Sequence, residues 1–227
     1  MSHRENITRI KAVYNALGEL QNQVVFVGGA TVSLYSDRDG FEFRPTDDVD
    51  IVVELLNLSG YAALEEKLRS IGFTNDKDSK IICRYKIDGI IVDFMPTRGD
   101  ILNFSNQWYP DGFKNAISYP IDNQHTVKIF TSPYFLASKL EAFKDRGGND
   151  GRTSSDFEDI VSVLERRKTV WTEINDAPAD VRTYIREEFK KLMGNIFLEE
   201  WINAHIDFIS PPSTYFIIEN MKAQIAG

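Results

Sequence analysis

The segment Arg44-Pro45-Thr46-Asp47-Asp48-Val49-Asp50-Ile51-Val52-Val53 sets two carboxylates two positions apart at the start of a β-branched run. Side chains alternate faces along a strand, so Asp48 and Asp50 project to one side and Asp47 to the other. Carboxylates held that close repel one another unless a cation lies between them. A third acid, Asp93, stands inside the apolar run Ile90-Ile91-Val92-Asp93-Phe94-Met95. Burial there is costly unless the acid is paired, protonated or bound to metal. If the two strands are neighbours, the three acids form one hard, oxygen-rich site of the kind Mg²⁺ or Mn²⁺ takes up together with substrate phosphates. Two cations about 4 Å apart in such a site activate an attacking oxygen and steady a leaving pyrophosphate. Asp93 is then the natural base for the incoming hydroxyl.

An Asp-x-Asp pair alone is also what a solvated turn looks like, and it is the constellation that carries the inference. Gly28-Gly29 closes the apolar run Val24–Val27 and precedes a short helical stretch. Without side chains there, phosphate oxygens can approach backbone N–H groups at a helix N-terminus. A tight turn needing glycine for conformation alone would look the same. Cys83, the single cysteine, lies in an apolar run and reads as a buried structural thiol; one cysteine permits no intramolecular disulfide and no thiolate metal cluster. His3, His125 and His205 have no metal-ligand spacing.

The elements that must position these groups follow from periodicity. Ile7, Ile10, Val13, Tyr14, Leu17 and Leu20 predict an amphipathic helix. Strands are expected at 24–27, 49–53, 81–87, 90–95 and 127–130, with helices at 30–35 and 59–71. Asp88-Gly89 between apolar runs is a hairpin signal. Residues 37–46 read as a polar loop, and 97–123, with Trp108, Tyr109 and Pro110, as an ordered loop. From Ser132 onward the pattern turns helical, at about 133–145, 154–167, 179–193 and 196–205. The segment 211–227 is expected to dock. The boundary near Thr131 gives a domain of residues 1–131 and a helical domain of residues 132–227. Strands and helices are thus interspersed up to that boundary, with helices beyond it.

Composition narrows the partners. The 227 residues carry 34 acidic against 26 Lys and Arg side chains, a formal charge of −8. Such a chain is poorly suited to coating nucleic acid, although a local basic patch can still hold one RNA or a triphosphate. No stretch is long and apolar enough to span a membrane, and the N-terminus reads as an amphipathic helix rather than a signal core. The cytoplasm is the expected compartment.

The order Gly28-Gly29, Arg44-x-Thr46-x-Asp48-Val49-Asp50 and then Asp93 resembles the polymerase-β-like nucleotidyltransferase superfamily, and within it the AbiEii-type toxin nucleotidyltransferases. The likeness extends through Lys139-Leu140-x-Ala142, Arg146 and Asp156-x-x-Asp159-Ile160, and covers residues from about 24 to 165. It implies an α+β fold, a nucleotidyltransferase core with a small mixed sheet flanked by helices, followed by a helical domain closing over the nucleotide. It also implies metal at Asp48 and Asp50 completed by Asp93, and a nucleotide site including Gly28, Gly29, Thr46, Lys139, Arg146 and Asp156. Asp159 would be structural support. Many relatives have Gly-Ser where this chain has Gly28-Gly29, and a basic residue where it has Ser155; Arg146 or Arg152 could compensate. The implied reaction moves a nucleoside monophosphate from an NTP to an acceptor hydroxyl on a tRNA end, a protein or a small molecule, with an antitoxin as candidate partner. Two rival readings are an antibiotic-type small-molecule nucleotidyltransferase and a catalytically silent nucleotide-binding interaction protein. On the residues alone, Lys139 would be an ordinary solvent-facing helix lysine.

Overall fold

The computed structural model describes residues 2–37, 43–55, 57–102, 106–146, 150–206 and 214–227. These divide into two compact units, one of residues 2–34 and 43–131, the other of residues 35–37 and 132–227. Among the described residues, no helix is long and apolar enough to cross a membrane.

The first unit opens with helix α1 (Ser2–Leu17), whose Ile10, Val13 and Leu17 are buried at helical spacing. A 3-10 turn (Gly18–Gln23) leads into β1 (Val24–Val27), buried at all four positions, which explains its unbroken apolar run. A second 3-10 stretch (Gly29–Tyr35) follows. Then come β2 (Asp48–Val53), α2 (Leu58–Ser70), β3 (Thr74–Asn75), β4 (Arg84–Ile87) and β5 (Ile90–Pro96). The unit closes with α3 (Gly99–Leu102), α4 (Tyr109–Lys114), β6 (Ile117–Pro120) and β7 (Thr126–Ile129).

One sheet runs β3-β4-β5-β2-β1-β7-β6. The β2–β5 and β1–β7 pairs are parallel and the rest antiparallel. β2 and β5, which carry the three aspartates, are therefore hydrogen-bonded neighbours. Asp88 and Gly89 turn the β4–β5 hairpin at φ 48 and 79, the left-handed pair a two-residue turn of this kind requires. That turn locks Ile87 opposite Ile90 and, three pairs further along, Arg84 opposite Asp93. Phe94 anchors one face of the sheet, with the Phe73 and Tyr85 rings edge-on at 5.4 and 5.6 Å.

Two expectations are corrected in this unit. The strand expected from residue 81 begins at Arg84, because Ile81 and Ile82 lie in an exposed turn. The loop expected over 97–123 contains α3, α4 and the edge strand β6. Half of the loop expected over 37–46 (residues 38–42) lies outside the described residues.

The second unit comprises α5 (Ser132–Asp145), α6 (Ser155–Arg166), α7 (Val170–Asp176), α8 (Ala179–Met193), α9 (Leu198–Asn203) and α10 (Thr214–Ala226). α5 packs against α6, α7 and α8, and α10 packs against α8. Phe143, Phe157 and Trp201 form a ring cluster at its core, with Phe157 at 5.3 and 5.6 Å from the other two. Helix α7 was not expected. The docking C-terminal segment is α10, with Ile217 and Met221 buried. Residues 147–149, between α5 and α6, lie outside the described residues, as do 211–213.

Candidate active site

Register brings the acids together. Val27, Asp50, Asp93 and Arg84 occupy successive positions of one cross-strand row through β1, β2, β5 and β4. Residues in one row share a face of the sheet, and Asp48, two residues before Asp50, shares it too. One carboxylate oxygen from each of Asp48, Asp50 and Asp93 lies within 4.8 Å of the others. Asp93 is buried, while Asp48 and Asp50 are half-buried. The site grades from the sheet interior towards solvent.

Local features hold β2 in place. Thr46 is buried, and its N–H and hydroxyl both donate to Asn6 Oδ1, at 3.2 and 3.3 Å. Asn6 Nδ2 in turn donates to the Arg44 carbonyl. Asn6, on α1, thus clamps the chain just before Asp48. It is a supporting residue that no sequence motif marks.

Gly28 has φ +72, and a Cβ at that position would lie 1.9 Å from Asp50 Oδ2 and 2.7 Å from its Cγ. Its missing side chain is the space the Asp50 carboxylate fills, and any side chain here is strained besides. Thr31 N–H and Oγ1 both donate to the Gly28 carbonyl, fixing the turn into Gly29. These contacts give Gly28 a duty towards the acid.

The sequence reading missed Arg84. Its Nε donates to Asp93 Oδ1 at 2.8 Å and its Nη2 to Asp93 Oδ2 at 2.7 Å, a bidentate fork, while Nη2 also reaches Asp48 Oδ2 at 3.1 Å. The hydrogen bonds to Asp93 raise the affinity of the guanidinium for its proton further above the ordinary value. The signal was present in the chain: a two-residue turn at Asp88-Gly89 pairs residues whose numbers sum to the same total, so Arg84 had to face Asp93. Beside it, burial and then the Asp93 charge push the Cys83 thiol up to about 12, as befits a structural residue rather than a nucleophile.

Lys139, Arg146 and Asp156 come together in the second unit. Lys139 Nζ sits 3.1 Å from Asp156 Oδ1 and 2.6 Å from Asp159 Oδ2, and Arg146 Nη1 sits 2.5 Å from Asp156 Oδ2. Both acids have side chains only 3% exposed. The ordinary solvent-facing reading of Lys139 is thereby corrected: it is buried, tying α5 to α6. Arg152 is engaged by Asp150 and Glu200.

The donor set of Asp48, Asp50 and Asp93 is all oxygen and gathered within 4.8 Å, and an all-oxygen set of this kind fits Mg²⁺ or Mn²⁺ by its chemistry. Gly28 supports the fit by leaving Asp50 room to join the set.

No protein-family model and no curated protein matches the chain. Solved structures do. The antibiotic-resistance factor ANT(2'')-Ia superposes with a TM-score of 0.50 at 15% identity, over 86% of this chain and 97% of that one. The Elizabethkingia meningoseptica CdnE cyclic dinucleotide synthase, solved with GTP and Apcpp, matches over 98% of this chain and 97% of that one at 14% identity, with a TM-score of 0.34. The first likeness shows the fold: the chain shares the α+β architecture of that structure.

Proposed function

We propose that this protein is a Mg²⁺- or Mn²⁺-dependent nucleotidyltransferase that moves a nucleoside monophosphate from an NTP to an acceptor hydroxyl. The observation that carries the reading is the convergence of Asp48, Asp50 and Asp93 on one sheet face, with ligand oxygens within 4.8 Å of one another. The fold likeness supports it independently.

In this reading Asp48, Asp50 and Asp93 hold the divalent ion. When bound, the ion would neutralise phosphate charge and acidify the attacking hydroxyl. In the same reading Asp93, the most buried of the three, takes that hydroxyl's proton. Gly28 and the Asn6–Thr46 clamp hold Asp50 and the start of β2 in position, so that the protein supplies geometry more than covalent chemistry. Lys139 and Asp156 contribute through the order of α5 and α6, while the contact of Arg146 and Lys139 with nucleotide rests on the family resemblance.

The acceptor is proposed to be an RNA end, a protein side chain or a small molecule, and the AbiEii-like motif order favours a toxin partnered by an antitoxin in the cytoplasm. The test is incubation with each labelled NTP and Mg²⁺ in the presence of total tRNA, cell extract or aminoglycoside. Pyrophosphate release by the wild type, lost in Asp50→Ala, supports the reading. Equal release by Asp50→Ala would remove the site assignment, and no release with any acceptor would favour a silent nucleotide-binding protein.

A further inference from the structure

The structure sets a cation of its own among the acids. Arg84 shares the cross-strand row of Asp50 and Asp93, and its fork engages both oxygens of Asp93 and one of Asp48. These are the side chains that would ligate a divalent ion. A carboxylate has a limited set of lone-pair directions. An oxygen that faces an N–H at 2.7 or 2.8 Å is turned towards that donor, and an ion seated at about 2.1 Å needs the same electron pairs. Guanidinium and metal therefore draw on one set of oxygens.

The guanidinium is not sealed in the core. The Arg84 side chain is 20% exposed and that of Asp48 is 35% exposed, so the fork has a path to water without opening the core. Arginine also binds phosphate oxygens with the same geometry it uses for carboxylates, so a triphosphate offers it a new partner. The Lys139–Asp159 pair lies deeper, with side chains 11% and 3% exposed.

We propose that Arg84 is a resident counter-ion, holding Asp48 and Asp93 converged before substrate arrives and withdrawing from them when the divalent ion binds. The inference rests on the metal-site reading above and adds to it a competition built into the sheet. Arg84 is a positioning residue in this account. Its removal has two opposite consequences: the metal-free protein loses a partner for its acids, and the ion gains a site already vacated.

The experiment is a Mn²⁺ titration of the full chain followed by calorimetry, on the wild type, Arg84→Gln, Arg84→Lys and Asp50→Asn. Arg84→Gln is expected to bind Mn²⁺ about tenfold more tightly than wild type, because a competing charge has gone. Its metal-free melting temperature should be lower and its rise on saturation with Mn²⁺ larger; Arg84→Lys should fall between. Unchanged or weaker binding by a folded Arg84→Gln, with binding abolished in Asp50→Asn, would overturn the counter-ion role and leave the metal site standing. Wild-type binding insensitive to Asp50→Asn would overturn both. Should Arg84→Gln fail to fold, the wild type is followed by ¹⁵N NMR of arginine Nε–H groups during a Mg²⁺ titration. The Arg84 signal, assigned through Arg84→Lys, should shift and lose exchange protection; a signal unmoved at saturation would overturn the proposal.

Discussion

Two clusters in this molecule set aspartates against basic side chains, one on the sheet and one among the helices. On the sheet, Asp48, Asp50 and Asp93 share a face with Arg84, and exposure rises from 9% at the Asp93 side chain to 35% at Asp48. Among the helices, the Asp156 and Asp159 side chains are each 3% exposed and are gripped by a lysine itself only 11% exposed. A buried pair cannot exchange partners without uncovering charge, so it serves the order of the fold. A graded, half-open cluster can exchange them, and that is what ligand binding requires. The contrast teaches that burial, more than the presence of acids, separates a site from a strut.

The contrast can be broken most sharply at Asp50. Replacing it with Asn should cut nucleotidyl transfer by about 10²–10³-fold or more while the melting temperature stays near that of wild type, measured by pyrophosphate release beside thermal melts. At Lys139 the pattern should reverse. Lys139→Met takes the lysine away from two acids whose side chains are 3% exposed and should cost about 3–5 kcal/mol in denaturant unfolding. Adding Asp156→Asn and Asp159→Asn should recover much of that loss, whereas neutralising Asp48 and Asp93 alongside Arg84 should recover no turnover. If Lys139→Met kept its stability and lost only nucleotide affinity, the strut assignment would be wrong.

A smaller effect belongs to Gly28→Ala. The added Cβ must displace the Asp50 carboxylate and adopt a left-handed backbone, for a cost of about 1–3 kcal/mol and weaker Mn²⁺ binding. Smallest is a pH effect confined to the hairpin side of the sheet. The Cys83 thiol is pushed up to about 12 by burial, and burial also raises the Tyr61 and Tyr85 hydroxyls. The unfolded chain ionises these groups first. Their contribution is therefore intact below the ordinary thiol range and is lost as pH climbs towards about 12. Cys83→Ala should flatten that alkaline slope in urea unfolding without changing the neutral plateau.

The sheet acids were legible because strand alternation and apolar context each make a carboxylate conspicuous: Asp48 and Asp50 by spacing, Asp93 by its company. Arg84 was legible only to someone who carried the Asp88-Gly89 turn through to register, since nothing in the run Cys83-Arg84-Tyr85 marks a site on its own. The burial of Lys139 was not legible, because a helix lysine reveals its partners only once α6 packs beside α5. Edge strand β6 escaped because Ile117, Ser118 and Pro120 are exposed, so no apolar alternation records it. The exposed Ile81 and Ile82 misled in the other direction, extending an expected strand into what is a turn.

The most direct measurement is anomalous diffraction at the manganese edge from crystals grown with Mn²⁺ and a non-hydrolysable NTP. The account predicts a peak within coordination distance of Asp48, Asp50 and Asp93, with the Arg84 fork drawn away from Asp48 and Asp93. A peak elsewhere, or triphosphate bound with no metal at these three carboxylates, would contradict it.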